Sequence, residues 1–581
     1  MSITKQTLNA HLNDPAVFCC QRKKGAVIGH EDLEDPNLFE DMVDAGLLQL
    51  SDNGLSIKQV LGQTLIKDCE ALTQITKEFV DSVASHDVKE DLQQKSQQVS
   101  AIQTSKNDGG RGMIRINVDK LEGLTLEIPE GTSVASALAG ATSRDEQNTQ
   151  TKVVEKREEK TIRTLVKKEY KVDKVELGSQ TTFEKGVLTV DKGLVEKAYA
   201  NNPLVKELKM DVITPENRHV YTNTIMDVMP VSAKVEGKIG EGTTNTLKGV
   251  VFCLTGLDED GVQIHEFGQS SGYLDEKIAF GRPGSPDEDD IIIRVDAVVQ
   301  KGTGMERRGP LAAHTACDVI IQDIRETLKK TTEPVINQET CHDVHKTGRP
   351  RVVLIKEIMG QGAMHDNILV PSEPAGVLGG QKNVDLGNVP VMLSPNEVRD
   401  GGIHALTCIG PATKETTRHY FREPLVEELA KDDEVNLVGV LLVGSPQVND
   451  EKMYVSERLG MWVETMDLDG AIITTEGFGN NHIDFASHIS QVGSRGVPVV
   501  GVTFSAYQGQ LVVGNKYMDA MVELNKDKEG FENEILACSS ICKEDAKRAA
   551  VMLKTKMAGV PIEQPNRKWN QETIDANQRL V

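Results

Sequence analysis

The chain has 581 residues, of which 38% are hydrophobic, 26% charged and only 4% aromatic, and its formal net charge is −23. This length exceeds what one hydrophobic core usually organises, so several domains are expected. The negative charge argues against nucleic acid and anionic membrane as partners, because phosphate groups would repel it. The scarcity of aromatic side chains argues against a surface that stacks bases.

The N-terminal sequence shows no apolar segment behind a basic one, and no later run reaches the roughly 18 apolar residues that span a bilayer. Nine cysteines, an odd number, are scattered along the chain without a regular spacing. Reduced thiols in a reducing compartment fit this pattern better than disulfides do. We therefore expect a cytoplasmic protein without a membrane segment.

The first part of the chain alternates between apolar and polar stretches. LFEDMVDAGLLQL and LSIKQVLGQTLIKDCEALTQI space their apolar residues as a helix does, which predicts a small, mostly helical domain over 1–87. The Gln- and Ser-rich sequence over 88–112 predicts a flexible linker. Alternation on both sides of a glycine in MIRINVDKLEGLTLEIPEG predicts a β-hairpin module over 113–140, and the polar stretch 141–160 predicts a second linker.

The remaining sequence indicates α/β structure. Between 161 and 407, apolar segments separated by Gly and Pro predict a β-rich α/β domain with a large sheet and one clear helix around LAAHTACDVIIQDIRETLKK. Between 408 and 581, the apolar strands NLVGVLLVGS, DGAIITTEG and VPVVGVTFS alternate with helical stretches. This alternation predicts right-handed crossovers and a parallel, doubly wound sheet, whose ligands usually lie beyond the carboxyl ends of the strands.

Motifs for common cofactors are absent from the sequence. There is no phosphate-binding G-x-x-x-x-G-K-[ST] loop, and MGQGAMHDN lacks the third glycine of a dinucleotide fingerprint. CHDVH and CSSIC each supply only half of a metal-ligand set, and FCC is better explained by ordinary buried thiols than by a redox relay. No nucleotide or metal is expected. The roles of five cysteines in these motifs stay open: Cys19, Cys20, Cys341, Cys538 and Cys542.

The stretch GGIHALTCIGPATKE places Cys408 in a turn marked by Gly, Thr and Pro, with His404 before it and His419 after it. In one interpretation Cys408 is simply a small residue that fills the turn. In the other, its thiolate attacks the carbonyl of Thr407 and converts the peptide into a thioester, a step that backbone strain would assist. Elimination and hydrolysis, with loss of sulfide and ammonia, would then leave a pyruvoyl group. The local residues leave both interpretations open.

Nine stretches of the chain are informative when taken together: NDPAVFCCQRKKG, EDLEDPNLF, MERRGPLAAH, IKEIMGQGAMHDN, NVDLGNVPVMLSPNEV, GGIHALTCIGPATKE, RHYFREPLV, LVGSPQVN and TTEGFGNNHIDFASHI. Together they resemble the D-proline reductase family, whose members are pyruvoyl- and selenium-dependent reductases of amino-acid-fermenting anaerobes. The resemblance covers nearly the whole chain apart from the linkers, and glycine reductase proteins are a more distant resemblance. CHDVH and CSSIC are not part of the family pattern.

The resemblance implies a precursor that cuts itself between Thr407 and Cys408, giving a larger chain, 1–407, and a smaller one, 408–581, that begins with the pyruvoyl group. The implied activity is the reductive opening of D-proline to 5-aminopentanoate. This chain contains no selenocysteine, so the family's selenolate would come from a small partner subunit in a hetero-oligomer, and a dithiol would reduce that partner. A selenol is largely ionised at neutral pH, unlike a thiol with a pKa near 8.5.

Three alternatives follow from the same observations. A paralogue could reduce another cyclic or N-alkylated amino acid, because the motifs define the cofactor better than the substrate pocket. A pyruvoyl decarboxylase would use the same electron sink, but such enzymes typically mature at serine. A non-catalytic scaffold or maturation factor would be marked by loss of the cysteine or its flanking residues, and neither is lost here.

His404 and His419 are candidates for acid–base roles in maturation or catalysis, and they suit turn-capping roles equally well. Arg418 and Arg422 are candidates for binding the substrate carboxylate through a bidentate fork. The alternative for both arginines is pairing with nearby acids such as Glu415 and Glu423.

Further pocket candidates follow apolar strands, at the position where doubly wound sheets bind ligands. Glu476, His482 and Asp484 lie in EGFGNNHIDF, which opens a helix, so helix capping is the alternative role for them. His365 follows the strand RVVLIKEI and is a similar candidate.

Overall fold

The computed structural model divides the chain into two compact units, Met1–Lys152 and Val153–Val581. Each unit is described by itself. The residues that the structure describes are 3, 8–19, 24–34, 36, 39, 48, 50–51, 53–69, 72–80, 113–117, 125–129, 158–200, 202–264, 269–304, 308–358, 367–370, 384–406, 408–410, 413–476, 479–506, 513–525 and 533–563.

Ten α-helices lie within these residues, and none of them is both long and apolar enough to cross a membrane. Short 3₁₀ turns occupy Leu8–Ala10, His30–Asp32 and Pro215–Asn217. The α-helices are α1 (Ile57–Val60), α2 (Leu194–Ala200), α3 (Leu274–Lys277), α4 (Arg308–Leu328), α5 (Pro395–Arg399), α6 (Thr417–Phe421), α7 (Pro424–Lys431), α8 (Asn449–Met466), α9 (Asn481–Gly493) and α10 (Lys543–Met557).

The described strands number twenty-four and form several sheets. They are β1 (Met113–Asn117), β2 (Thr125–Pro129), β3 (Glu159–Lys171), β4 (Lys174–Gly178), β5 (Thr182–Glu184), β6 (Val187–Asp191), β7 (Val205–Ile213), β8 (Tyr221–Thr222), β9 (Thr224–Met229), β10 (Ser232–Glu236), β11 (Gly242–Lys248), β12 (Val250–Asp258), β13 (Gly272–Tyr273), β14 (Ile291–Val299), β15 (Asn337–Lys346), β16 (Arg351–Ile358), β17 (Asn367–Leu369), β18 (Val384–Asp385), β19 (Val391–Leu393), β20 (Ile403–Ala405), β21 (Asn436–Gly444), β22 (Gly470–Thr475), β23 (Val499–Thr503) and β24 (Met521–Glu523).

The described residues of the N-terminal region differ from the mostly helical domain that apolar spacing predicts. In the described part of LSIKQVLGQTLIKDCEALTQI the helical structure is the single turn α1, and Gly62, with φ of 77°, follows that turn in a conformation that a right-handed helix cannot continue. Isolated β-bridges such as Val17–Gln74 and Phe18–Leu33 join the remaining segments around a small apolar core. Most of LFEDMVDAGLLQL lies outside the described residues.

Strands β1 and β2 pair antiparallel, from Met113–Pro129 to Asn117–Thr125, in the stretch where alternation predicts a hairpin. The predicted linker 88–112 lies outside the described residues, as does most of 141–160. Strand β3 already begins within the second of these linkers, at Glu159.

The β-rich part of the second unit contains two four-stranded sheets instead of the one large sheet expected. Their strand orders are β10-β11-β3-β15 and β7-β14-β12-β9. Strand β12 is buried on both faces: Phe252 and Leu254 belong to one hydrophobic cluster, shared with α4, and Val251 and Cys253 belong to another. This double burial explains why its sequence, VVFCLTGLD, is almost continuously apolar.

The largest sheet has six strands in the order β19-β21-β16-β22-β23-β24. All neighbouring pairs are parallel except the antiparallel edge pair β19–β21. Residues of β16 alternate between two hydrophobic clusters: Val352 and Leu354 pack with α7 and α10, and Val353 and Ile355 pack with α8 and α9. The predicted mixed α/β fold is confirmed.

The predicted domain boundary at 407/408 does not coincide with the strand order of the six-stranded sheet. Strand β16 precedes Cys408 in the chain, yet it lies between β21 and β22, which follow Cys408. The physical reason is that RVVLI is apolar on both faces and becomes fully buried only as a central strand. The two segments on either side of Cys408 therefore build one sheet together.

Candidate active site around Cys408

Cys408 lies in the segment between β20 and α6, and its half-buried side chain packs against the hydrophobic cluster of β12 and α4. The N–H of Ile409 donates to the carbonyl of Ile225 (2.8 Å), and the hydroxyl of Thr413 donates to the carbonyl of Cys408 (2.5 Å). The backbone on the C-terminal side of Cys408 is thus fixed against β9. Thr407, the other half of the predicted cleavage site, lies outside the described residues.

The first buried polar group near this segment is centred on Asp227 of β9, and we call Asp227, His314, His404 and Thr417 the Asp227 cluster. Asp227 accepts from the N–H of Thr417 (2.8 Å) and from its hydroxyl (2.5 Å), and that hydroxyl accepts from the N–H of Ala405 (2.9 Å). The Nε2 atoms of His314 and His404 lie 3.6 and 3.7 Å from Asp227 Oδ2. Burial raises the pKa of Asp227. The predicted residue His404 is therefore held deep in the protein.

The second buried group, the Lys356 cluster, consists of Lys356, Glu415, His419 and Glu423. Lys356 Nζ lies 2.8 Å from Glu415 and 2.7 Å from Glu423, and His419 Nε2 lies 3.3 Å from each carboxylate. Burial alone would lower the pKa of His419, but the carboxylates of Glu415 and Glu423 raise that pKa to about 9. His419 is consequently cationic at neutral pH, so it is an acid or a fixed charge there and not a base.

Glu476, at the end of β22, contacts the segment that follows Cys408. Its Oε2 accepts from the N–H groups of Lys414 (2.7 Å) and Glu415 (2.5 Å). Burial, followed by the negative charge of Glu415, raises the pKa of Glu476 to about 8. Glu476 is therefore a neutral carboxylic acid at pH 7, held by the same segment that carries the Lys356 cluster.

Arg418 and Arg422 both form ion pairs, but with partners far away in the sequence. Arg418 contacts Asp290 (2.7 Å) and Asp287 (3.0 Å), and Arg422 contacts both oxygens of Asp287 (2.9 and 3.0 Å). The acids that pair with them are thus not Glu415 and Glu423. The arginines line a cavity of about 950 Å³, and Cys408 is not among the described residues that line it.

His482 and Asp484 lie on α9 and do not join the Lys356 cluster. Asp484 contacts Lys452 Nζ at 2.8 and 3.0 Å, and His482 hydrogen-bonds to the hydroxyl of Thr503 (2.9 Å). Burial lowers the pKa of His482 to about 4, so its ring is neutral at pH 7. The apolar side of α9 packs on the face of the six-stranded sheet opposite Tyr420. His365 lies outside the described residues.

Comparison with known proteins identifies the family. The family described as glycine/sarcosine/betaine reductase component B subunits matches residues 310–526. The D-proline reductase proprotein of Acetoanaerobium sticklandii is 49% identical over 600 aligned residues, which cover 100% of this chain and 95% of that protein. The chain belongs to the D-proline reductase proprotein family.

More distant relatives of this D-proline reductase family member match part of the chain. The sarcosine reductase complex component B subunit alpha of Peptoclostridium acidaminophilum is 26% identical over 57% of this chain and 76% of that protein. The glycine reductase complex component B subunits alpha and beta of the same organism are 25% identical over 60% of this chain and 81% of that protein. No solved structure matches the chain. The resemblance predicted from the sequence is confirmed, and the chain is a reductase of this family.

Four residues of the two clusters escaped the sequence analysis: Asp227, His314, Lys356 and Thr417. Asp227 lies in β9, where every residue is buried, and Lys356 interrupts the apolar strand RVVLIKEI. An ionisable side chain within an apolar strand has to be paired, because burying an unpaired charge is very unfavourable. That signal was present in the sequence, but it does not identify the partner residues.

The two half-sets of metal ligands do not assemble within the described residues. In CHDVH, on β15, Cys341 is buried, and His342 is exposed and hydrogen-bonds to Thr164 (3.0 Å), since successive strand residues face opposite sides. In CSSIC, the Cys542 thiol donates to the Asp545 carboxylate at the start of α10 (3.0 Å).

Replacing Lys356 with methionine removes the ammonium that neutralises Glu415 and Glu423 while keeping a similar side-chain volume. Leaving buried carboxylates without this partner is expected to lower the free energy of unfolding by about 3–5 kcal/mol. Urea denaturation at pH 7, followed by circular dichroism, measures this loss. The matched control is Lys209→Met, because Lys209 pairs with Glu207 at the surface, and it should leave the urea midpoint unchanged. Equal midpoints for the two variants would contradict the role assigned to Lys356.

Glu476 predicts a pH dependence of stability. An unfolded glutamic acid titrates near about pH 4.3, whereas folded Glu476 keeps its proton to about pH 8. Its contribution is therefore complete below the unfolded pKa and is lost as pH rises toward the folded one, at roughly 1 kcal/mol per pH unit. Glu476→Gln keeps an oxygen for the two N–H donors but cannot titrate. Between pH 5 and pH 8 the wild type should lose stability relative to this variant.

Thermal melting at several pH values tests this expectation. Glu457→Gln, on the exposed face of α8, is the matched control and should follow the wild-type profile. A difference between Glu476→Gln and the wild type that stays constant from pH 5 to pH 8 would show that Glu476 does not titrate as described.

Proposed function

We propose that the chain is the self-cleaving precursor of a pyruvoyl-dependent reductase that opens D-proline to 5-aminopentanoate in the cytoplasm. The observation that carries the proposal is Cys408. It is half-buried in a fixed segment, in a chain that is 49% identical along its whole length to a D-proline reductase proprotein. We also propose that the six-stranded sheet is the predicted doubly wound sheet, because helices pack in hydrophobic clusters on both of its faces.

The proposed cut begins at the Cys408 thiol. Cys408 Sγ attacks the carbonyl carbon of Thr407, and the peptide nitrogen takes up a proton and leaves as an amine, which gives a thioester. Loss of the Cys408 Cα proton breaks the Cβ–Sγ bond and leaves a thiocarboxylate on Thr407 and an enamine at 408. Water converts the imine tautomer of this enamine to the pyruvoyl carbonyl and ammonia, and converts the thiocarboxylate to a carboxylate and sulfide.

The contacts around Cys408 favour this chemistry. Thr413 donates to the Cys408 carbonyl and Ile225 accepts from Ile409, so the backbone after the thiol is fixed while the thiol itself stays partly accessible. The Asp227 cluster holds Ala405, on the other side, through Thr417. Fixing both sides of a bond favours intramolecular attack, because little conformational entropy remains to be lost.

The pyruvoyl carbonyl, once formed, supplies an electron sink for an amine substrate. This chain's own residues supply charge and protons around it. His419 is a fixed cation and Glu476 a neutral acid with a pKa of about 8, which suits proton donation near neutral pH. His404, held by the Asp227 cluster, positions the strand that leads to the cut. Both forks of Arg418 and Arg422 are engaged by aspartates, so a role in holding the substrate carboxylate requires Asp287 to be displaced.

A selenocysteine-containing partner subunit and a dithiol reductant are part of the proposal. The reaction needs a soft nucleophile, and Cys408 is consumed in maturation. Cys253 and Cys317 are fully buried, and burial raises the pKa of Cys253 to about 12 and that of Cys317 well above its usual value. Such thiols are poor nucleophiles. A selenolate delivered by another subunit meets this need, and the enzyme would then be a hetero-oligomer.

The second candidate function is the reduction of a related amino acid. The matches to sarcosine and glycine reductase components cover 57% and 60% of this chain, and sarcosine is an N-alkylated amino acid. A reductase of another cyclic or N-alkylated amino acid would keep Cys408 and differ in the pocket. Product analysis separates the candidates: 5-aminopentanoate from D-proline supports the first, and turnover of N-alkylated amino acids alone supports the second.

Mass spectrometry of the denatured protein from its native host tests the cofactor directly. We expect two fragments that part between Thr407 and Cys408. The smaller fragment should lack the cysteine sulfur and amine and gain one adduct after treatment with phenylhydrazine, which traps carbonyls. Cys408→Ala should stay a single chain without the adduct, and Cys538→Ala, the matched control, should be cut normally. A single wild-type chain with a Cys408 thiol would instead favour a non-catalytic scaffold.

The shared sheet predicts that the cut fragments stay together. Strand β16 belongs to the larger fragment and is hydrogen-bonded on both edges to strands of the smaller one, β21 and β22. Since their common core is apolar, high salt should not separate them. We expect one peak in gel filtration with and without 1 M NaCl, and two species only in denaturant. Separation in native buffer would contradict the sheet order.

A further inference from the structure

The Asp227 cluster directs two imidazoles and one carboxylate toward one another. Asp227, His314 and His404 are all buried, and their ligand atoms lie within 4.8 Å of one another. Nδ1 of His314 donates to the carbonyl of Pro310 (2.7 Å), and a carbonyl can only accept. The proton of neutral His314 therefore sits on Nδ1, and Nε2 presents a lone pair to the cluster. Among the described residues this Nε2 has no hydrogen-bond partner.

The spacing within the cluster is longer than hydrogen bonding requires. Asp227 Oδ2 lies 3.6 Å from His314 Nε2 and 3.7 Å from His404 Nε2. Protein N–H···O hydrogen bonds are about 2.7–3.2 Å long. Ligands bound at about 2.0–2.2 Å in a tetrahedral arrangement lie roughly 3.3–3.6 Å apart. The two distances therefore match a set of metal ligands better than a directly hydrogen-bonded triad.

The Lys356 cluster shows the contrasting case. Glu415, His419 and Glu423 also bring three ligand atoms together, but there the ammonium of Lys356 lies between the two carboxylates. The positive charge that these carboxylates need is therefore supplied by a side chain of the protein, Lys356. Within the described residues, the ion pairs of Asp227 are to His314 and His404 alone, so no lysine or arginine serves this carboxylate.

We propose that Asp227, His314 and His404 bind a divalent first-row transition ion of the zinc or ferrous type. Two imidazoles and one carboxylate are ligands that both ions use. The outer contacts fit as well: Thr417 donates twice to Asp227, and Pro310 orients His314, as hydrogen bonds behind metal ligands usually do. This proposal departs from the expectation, based on sequence motifs, that the chain holds no metal.

The ion would join three elements, β9, α4 and β20, and β20 leads directly to Cys408. All three ligands precede Cys408, so they would remain together on the larger fragment after a cut. The site is thus independent of the pyruvoyl proposal. Its expected role is to fix the end of β20.

The test is the metal content of the full chain, purified anaerobically and measured by elemental mass spectrometry. We expect close to one zinc or iron ion per wild-type chain. Asp227→Asn keeps the shape of the side chain and should lower the content at least tenfold. His342→Ala, on exposed β15, is the matched control and should retain the ion. Unchanged metal content in Asp227→Asn would overturn the proposal.

Cobalt substitution of the wild-type chain gives a second readout that does not depend on how any variant folds. After anaerobic incubation with Co²⁺ and removal of the excess, bound cobalt should show visible absorption distinct from that of the hydrated ion, and zinc should abolish it. Wild-type protein that holds no zinc or iron as purified, and takes up neither these ions nor cobalt, would overturn the proposal.

Discussion

The region around Cys408 depends on the ion pairs that the Lys356 ammonium forms with Glu415 and Glu423. This ammonium comes from β16, before Cys408, and neutralises Glu415 and Glu423, after Cys408, with all three side chains buried. Two carboxylates could not both stay ionised in this place without a cation, because the interior solvates charge poorly. The same contact therefore holds two chain segments together and sets the charges of their neighbours.

Neighbouring side chains in this region differ in their charge at neutral pH. Burial opposes the ionisation of Glu415, but Lys356 and then His419 outweigh burial and hold its pKa well below the usual value. Glu476 binds the backbone of the same segment, but there burial and the charge of Glu415 outweigh those hydrogen bonds and the charge of Lys356, so its pKa is raised to about 8 and it is protonated at pH 7. His419 is kept cationic by the two carboxylates. The surroundings thus make Glu415 an anion, His419 a cation and Glu476 a neutral acid. Acid–base chemistry needs groups whose pKa values differ in this way.

The sequence predicted the local features and missed most of the long-range pairings. Apolar strands such as DGAIITTEG appear where the alternation of strands and helices predicts them. Cys408 stands out through its turn and through the family resemblance of its surroundings. The partners of Arg418 were misassigned, because Glu415 is its neighbour in the chain whereas Asp290 is its neighbour in space. The helical spacing near α1 failed because a glycine with positive φ ends the turn. No local sequence pattern reveals that Asp227 of β9 lies next to His404 of β20 in the folded chain.

The domain boundary shows why function and fold divide this chain differently. A boundary at Cys408 follows the proposed cut, whereas the six-stranded sheet places β16 among strands that come after Cys408. A cut at that bond would break one covalent link and leave the hydrogen bonds of β16, the apolar core on both its faces and the Lys356 cluster in place. Because these contacts hold both sides, the new chain ends can form without loss of the fold. A self-cleaving precursor requires this, since the group it creates is useful only where the surrounding residues remain.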